Sequence, residues 1–298
     1  MIEVSILRRV IIEMDISNIR KNEPLSKHST FGVGGLAKYF FEASDIDDVP
    51  EIIAWVESQG MRYFVMGIGS NILFKDSGFD GLVVKITAKK ISAEGDTVIA
   101  DAGAPIAAVA KFACDNDRGG MEEFISLPGT VGGAVYGNAG CFWKEVSDVL
   151  TRGWVLKDGK LTEVDSDYFK FKYRWSALKD SHEILLKAAF RTEGGCEKSR
   201  MKDVLAVRRE KQPWGKTAGC FFKNPGSTPE LSAGFLIDKC GLKGKTVGGA
   251  KISMKHANFI LNTGDATAGD ILELADMAKK AVKGQFNIDL DPEIQIIG

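Results

Sequence analysis

The chain reads as an α+β protein, with two α/β modules arranged around an antiparallel-rich middle. Three patterns carry that reading. Strand-like and helix-like apolar periods alternate over residues 38–86, hairpin signals dominate residues 98–190, and helices alternate with short strands after residue 197. At 298 residues the chain is one large domain or two to three small ones.

The elements follow in order. Residues 1–20 carry Ile6, Val10, Ile11 and Met14 on one side, which predicts an amphipathic helix. Residues 38–42 form a strand. Ser44 opens a helix with Asp47 completing a short capping box, and Ile46, Val49, Ile52, Ile53 and Val56 follow at helical spacing up to Gly60. Strands over 63–66 and 82–86 bracket the cluster Gly67-Ile68-Gly69-Ser70-Asn71. Further strands fall at 98–100, 150–156 and 183–190, with a hairpin turn at Asp158-Gly159. Pro105 starts a helix carrying Ile106, Val109, Ala110 and Ala113. Residues 124–140 are too glycine-rich for a helix and too apolar for a linker, so they read as a functional loop. A helix over 197–212, with Met201, Val204, Leu205 and Val207 at its core, ends at Pro213. Then come a helix over 229–240 stopped by Gly241, a strand over 258–261, and a long helix capped by Thr267 and Asp270 and closed by Gly284. Strands over 286–290 and 294–297 finish the chain.

Composition excludes several function classes. Thirty-nine basic against 40 acidic residues leave a net charge of −1, no footprint for nucleic acid or an anionic membrane. No apolar run reaches the ~20 residues of a membrane span, and charges interrupt the N-terminal stretch where a signal peptide would be apolar. Cys114, Cys141, Cys196, Cys220 and Cys240 form no C-x-x-C pair, and His28, His182 and His256 stand far apart, so no metal site is expected. The odd, sparse cysteines fit a reducing compartment, and the chain is expected to be cytoplasmic.

Glycine is the one surplus, 33 of 298 residues against a usual ~7%. Gly32-Val33-Gly34-Gly35-Leu36-Ala37 matches G-x-G-x-x-A, but it leads into the strand-like Tyr39-Phe40-Phe41 and not into a helix, which rejects a dinucleotide-binding turn of that kind. Residues 67–71 can form a concave nest of backbone N–H groups for an anion; read alone, they equally form a tight turn. The run from Ser126 through Pro128, Gly129, Thr130, Gly132 and Gly133 to Gly137-Asn138-Ala139-Gly140 offers backbone bare enough to lie against a flat ligand or a pyrophosphate; close chain crossing is the alternative. No lysine of the G-x-x-x-x-G-K-[ST] kind is present, which argues against an ATPase and towards a dinucleotide held by backbone amides.

Taken together these segments resemble a known family. Ser29-Thr30-Phe31-Gly32-Val33-Gly34-Gly35, Gly67-x-Gly69-Ser70-Asn71-x-Leu73 and Pro128-Gly129-Thr130-Val131-Gly132-Gly133-Ala134 resemble the FAD-binding fold of vanillyl-alcohol oxidase-type (PCMH-type) flavoproteins. Tyr173-Arg174-x-Ser176, Gly219-Cys220-Phe221-Phe222-Lys223-Asn224-Pro225, Gly248-Gly249 to Asn258-Phe259, and Pro292-Glu293 are similar to the UDP-N-acetylenolpyruvoylglucosamine reductase family, in its compact subgroup. The resemblance spans about residues 20–298.

It implies an N-terminal helical segment over 1–31, a PCMH-type FAD-binding domain of two α/β subdomains over 32–196 (lobes about 32–87 and 88–196), and a smaller α+β substrate-binding domain over 197–298. It implies FAD as cofactor and NADPH as co-substrate. Hydride passes from the flavin N5 to C3 of the enolpyruvyl ether of UDP-N-acetylglucosamine enolpyruvate, and a protein acid protonates C2 to give UDP-N-acetylmuramate. Arg174, Cys220 and Glu293 are the implied catalytic residues, with Cys220 where the family commonly carries serine. The flavin falls to Thr30, Gly67, Gly69, Ser70, Asn71, Pro128, Gly129, Thr130, Gly132, Gly133, Gly137, Asn138 and Ala139. Substrate falls to Arg208, Lys211, Lys223 and Asn224, although Arg208, Arg209 and Lys211 also suit an exposed basic helix end. No nucleic-acid or membrane partner is expected, and a monomer is.

The residue types suit that chemistry. A developing enolate calls for positive charge, and an arginine offers a planar fork matched to a carboxylate. A thiol, with a reference pKa of ~8.5, gives up a proton more readily than an alcohol. Rival readings are another flavin oxidoreductase of the same fold, and a nucleotide-binding regulatory module without catalysis; the joint presence of Arg174, Cys220 and Glu293 disfavours the second.

Overall fold

The computed structural model describes residues 18–298, so the helix expected over residues 1–20 lies almost wholly outside the described residues. The chain divides into two units. Among the described residues the first takes 18–23, Ala37–Gly67 and Asp80–Val204, and the second takes Pro24–Leu36, Ile68–Phe79 and Leu205–Gly298. Two short segments from the N-terminal part of the chain thus belong with its C-terminal third.

The first unit is built on two sheets. One has strand order Arg20–Pro24, Leu36–Ala43, Phe79–Ile86 and Tyr63–Met66, the last pair parallel. Helix α1 (Asp48–Ser58) packs Val49, Ile52, Ile53 and Val56 with Leu82, Val84 and Ile86 in one core cluster, as their helical spacing dictates. It starts four residues later than Ser44. Its N-cap residue is Asp47, without a side-chain cap bond; the turn ahead of it is closed by Asp45 Oδ1, accepting from the Asp47 amide at 3.1 Å, and by Asp48 Oδ2, accepting from the Asp45 amide at 3.3 Å.

The second sheet is antiparallel throughout, in the order Lys160–Asp165, Leu150–Lys157, Ile184–Arg191, Thr97–Asp101, Ile91–Glu94. Its first hairpin turns at Asp158 and Gly159, with φ of 49° and 71°, the geometry that Asp-Gly favours. Helix α2 (Ile106–Asp115) follows Pro105 and buries Ile106, Val109, Ala110 and Ala113. The glycine-rich stretch 124–140 is not all loop, contrary to expectation. Helix α3 (Val131–Tyr136) runs through it, N-capped by Thr130 Oγ1, which accepts from the Gly133 amide at 3.4 Å. Each helical glycine costs ~1 kcal/mol against alanine, and burial of Val131, Ala134 and Val135 outweighs that propensity. Helix α4 (Lys198–Lys211) forms as expected but buries only Val204, because most of its residues are charged and its few apolar ones do not gather on one face; Met201, Leu205 and Val207 stay partly exposed.

The second unit centres on an antiparallel meander, Thr246–Val247, Ala250–Ile252 and Ile260–Asn262, and on a parallel pair, Gln295–Ile297 with Ile72–Phe74. The helix expected over 229–240 is split. Pro229–Leu231 makes a single 3-10 turn, and Ser232 caps helix α5 (Ala233–Lys239) by accepting from the Phe235 amide at 3.3 Å. A serine at that point competes for the backbone and restarts the helix. Helix α6 (Ala268–Phe286) has the expected Thr267/Asp270 capping box but passes through Gly284 and ends at Asn287, φ 55°. That left-handed asparagine does the terminating work, and the strand expected over 286–290 is absent because 283–286 still belong to the helix. Phe31, Leu73, Phe221, Phe222, Leu236, Ile271 and Leu274 share one buried cluster.

Within the first unit, Cys114 at the end of α2 and Cys196 form a disulfide across 82 residues, with Cα atoms 5.0 Å apart. The bond runs against the reducing compartment that the odd, sparse cysteines suggest; spacing alone carries no signal for it, because pairing depends on the register of Glu193–Gly194 with Arg118–Gly119. Cys141, Cys220 and Cys240 lie outside it. Denatured protein purified without reductant should therefore titrate as three thiols, and as five after reduction; five thiols from air-exposed native protein would show that the bond does not form.

Candidate functional site

The first unit carries Arg174 in a two-residue turn. Lys172 and Trp175 exchange backbone hydrogen bonds at 3.0 Å each, and Arg174 stands at φ 53°, a left-handed conformation unusual for a long side chain. Three contacts fix the turn. Lys179 Nζ donates to the Arg174 carbonyl at 2.8 Å, Ser176 Oγ donates to the Tyr136 carbonyl at 2.8 Å, and Asn138 Nδ2 donates to the Lys172 carbonyl at 3.2 Å. The guanidinium donates through Nη2 to the Gly140 carbonyl at 3.2 Å and lies 3.7 Å from Glu145 Oε1. Glu145 was invisible to sequence reasoning, since a lone carboxylate after a glycine run has no motif. Next to it, Phe142 and Trp143 form a hairpin tip with φ of 51° and 68°, and Trp143 is fully exposed.

The glycine segments differ in what they leave available. Gly69, φ 70°, turns its carbonyl onto Thr30, whose amide donates to it at 3.2 Å. The amides of Ile68 and Gly69 meet no backbone acceptor among the described residues, so this turn keeps the donors an anion needs. Asn71 Nδ2 donates to the Glu293 carbonyl at 3.2 Å, and Ser70 adjoins it in the chain. In the first unit the amides at the start of α3 are already spent: Val131 donates to Ala104, Gly132 to Ala102 at 2.8 Å, and Gly133 to Thr130 Oγ1. Gly132 is a close crossing, since a Cβ there would sit 3.2 Å from that of Ala102. Gly67 likewise lets Thr130 pass, where a Cβ would overlap Oγ1. Gly129 adopts φ 130°, open only to glycine in practice, and Pro128 and Gly133 are exposed. Gly137 and Ala139 are half-buried, and Asn138 is buried with both amide hydrogens engaged. In the second unit the nest at 68–69 suits a phosphate, and in the first unit the backbone at 128–133 is bare enough for a flat ligand.

The second unit brings Cys220 and Glu293 into one set of paired strands. Cys220 bridges Phe259, Phe222 bridges Pro292, and the Glu293 amide donates to the Phe221 carbonyl at 2.8 Å. The buried side chain of Asn258 clamps the segment, accepting from the Phe222 amide at 2.9 Å and donating to its carbonyl at 2.8 Å. Lys223 is held through its amide to the Asp291 carbonyl at 2.9 Å, and Asn224 Oδ1 accepts from Ala233 at 3.1 Å. Arg208 and Lys211 lie in the last turn of α4, where cations also suit the helix dipole. Burial first, and then the positive Lys243, hold His256 below the usual histidine range.

Residues 210–297 match the model of the C-terminal domain of UDP-N-acetylenolpyruvoylglucosamine reductase, and residues 37–165 match an FAD-binding domain. A reductase of that name from Caldicellulosiruptor saccharolyticus is 40% identical over 286 residues, covering 93% of this chain and 91% of its own. One from Caldanaerobacter subterraneus is 37% identical over 283 residues, covering 93% of each. The crystal structure of the enzyme from Thermus caldophilus aligns with a TM-score of 0.80 at 32% identity, over 92% of this chain and 97% of that one.

Gly67→Ala should lower the thermal midpoint, at a cost of about 1–3 kcal/mol of overpacking, whereas Gly133→Ala, with only Thr130 Oγ1 at 3.8 Å, should not; equal midpoints for the two would contradict the packing. His256 is easier to protonate in the unfolded chain, so stability should fall as pH drops below ~6.5. Unfolding scans between pH 7 and 5 should show a flatter pH dependence in His256→Gln.

Proposed function

The chain belongs to the UDP-N-acetylenolpyruvoylglucosamine reductase family, and from that premise we propose how its residues carry the reaction. It is an FAD oxidoreductase of peptidoglycan-precursor synthesis that reduces UDP-N-acetylglucosamine enolpyruvate at the expense of NADPH. Bound FAD supplies the hydride carrier between NADPH and C3 of the enol ether.

The remaining work falls to side chains. Arg174 receives the substrate carboxylate and opposes the negative charge that builds on it as C3 gains the hydride. Cys220 gives its proton to C2, and Glu293 serves as the acid–base or orienting carboxylate beside it. The observation that carries this assignment is the pairing of the 220–222 and 292–293 backbones, which keeps a thiol and a carboxylate on adjoining strands. Thr30, Gly69, Ser70 and Asn71 in the second unit, and Gly67, Pro128, Gly129, Thr130, Gly132, Gly133, Gly137, Asn138 and Ala139 in the first, are assigned to FAD. The nest at 68–69 takes a phosphate and the α3 segment supplies bare backbone. Arg208 and Lys211 are assigned to the UDP diphosphate, and Lys223 and Asn224 to the sugar end of the substrate. We place the enzyme in the cytoplasm as a monomer; no helix among the described residues is long and apolar enough to cross a membrane.

Cys220→Ala decides the central assignment. NADPH should bleach its flavin at the normal rate, while recovery of the yellow colour by UDP-N-acetylglucosamine enolpyruvate should slow by roughly 10²–10⁴. Stopped-flow traces with an unimpaired second phase would remove Cys220 as the proton donor.

A further inference from the structure

We propose that Glu145 is a positioning residue for Arg174, itself held in place by Asn138, so that a ring of contacts within the first unit sets the plane of the guanidinium. The proposal rests on the reading of Arg174 as the group that receives the substrate carboxylate.

The ring closes through named atoms. Gly140–Cys141 and Lys144–Glu145 form a short antiparallel pair in which Glu145 faces Gly140 directly. The Gly140 carbonyl, which accepts from the Arg174 guanidinium at 3.2 Å, and Glu145 Oε1, its ion-pair partner at 3.7 Å, therefore sit opposite one another at the base of one hairpin. The other oxygen, Oε2, accepts from Asn138 Nδ2 at 2.9 Å. The same Nδ2 donates to the Lys172 carbonyl at 3.2 Å, two residues before Arg174. Asn138 Oδ1 accepts from the Ser147 amide at 3.0 Å. Side chain and backbone of Arg174 are thus tied to one amide.

The parts are stiff. Asn138 is 1% exposed and left-handed, φ 43°, so its amide has no other place to go. The Glu145 backbone is pinned by Asp148 Oδ2, which accepts from its amide at 2.7 Å. Only 23% of the Arg174 side chain is exposed. A guanidinium recognises a carboxylate through a planar fork, so an error in its plane costs recognition even where its charge is kept. Glu145 sets that plane from the side, its carboxylate serving as a countercharge that orients the cation.

Glu145→Gln tests this without changing volume. A glutamine side chain has one acceptor and one donor where the carboxylate has two acceptors, so it faces either Arg174 or Asn138 with an N–H against an N–H. With the FAD-loaded enzyme, reduction by NADPH should stay within about twofold of wild type, and reoxidation by UDP-N-acetylglucosamine enolpyruvate should slow at least about tenfold. If Glu145 acts only through Arg174, Arg174→Lys and the double variant Arg174→Lys/Glu145→Gln should reoxidise at the same rate within about twofold. Reoxidation of Glu145→Gln at the wild-type rate, equal slowing of both half-reactions, or losses that multiply in the double variant would each overturn the proposal. Arg174→Ala with normal reoxidation would instead overturn the reading of Arg174 on which it stands.

Discussion

One buried amide organises the second unit. Asn258 bonds both the N–H and the C=O of Phe222, and the backbone beside it bonds Phe221, at 2.8–2.9 Å throughout. Each such bond contributes about 0.5–1.5 kcal/mol net, but losing the side chain would strand two backbone groups in an apolar cluster at a larger cost. Phe221 and Phe222 are both buried, so the segment cannot turn to water for partners. Fixing residue 222 fixes Cys220 two residues before it and, through Pro292, the neighbouring Glu293. The position of the thiol is therefore a consequence of core packing around an asparagine.

How much of this was legible follows from what each signal depends on. The strand–helix–strand pattern over 38–86 was readable because Val49, Ile52, Ile53 and Val56 repeat with one face, and that face is what packs. Helix α3 was not, because Gly132 and Gly133 lower propensity while the deciding terms are the Thr130 cap and the burial of Val131 and Val135. Asn287 ended α6 in place of Gly284 for a similar reason: a glycine within a packed helix is tolerated, and a left-handed asparagine ends one. Among the proposed catalytic residues, short motifs single out Arg174, Cys220 and Glu293. They do not single out Glu145, whose contact with Arg174 comes from a hairpin register.

The first unit shows where backbone strain has been concentrated. Asn138, Phe142, Trp143 and Arg174 all adopt left-handed φ between 43° and 68°, and the contacts of Arg174 join both hairpins. Asparagine visits that region at small cost; phenylalanine, tryptophan and arginine do so only where surrounding contacts over-determine them. Here those contacts are the Gly140–Glu145 pair and the Lys172–Trp175 turn. These four lie close together in the chain's contacts, whereas other left-handed residues of the unit, such as Asp117, Asp158 and His182, sit singly at turns and helix ends.

A thiol at residue 220 also fits its surroundings. Where the resemblance leads one to expect serine, sulfur brings a larger atom and a lower pKa, which eases proton transfer but shifts the donor by a few tenths of an ångström (order of magnitude). Gly219, φ 81°, brings no Cβ beside it, and no atom lies within 4 Å of where one would stand. The bridge to Phe259 fixes the backbone on the other side. Residue 220 is thus fixed by backbone pairing rather than by its own side chain, so the core that Asn258 organises does not depend on whether a thiol or a hydroxyl stands there.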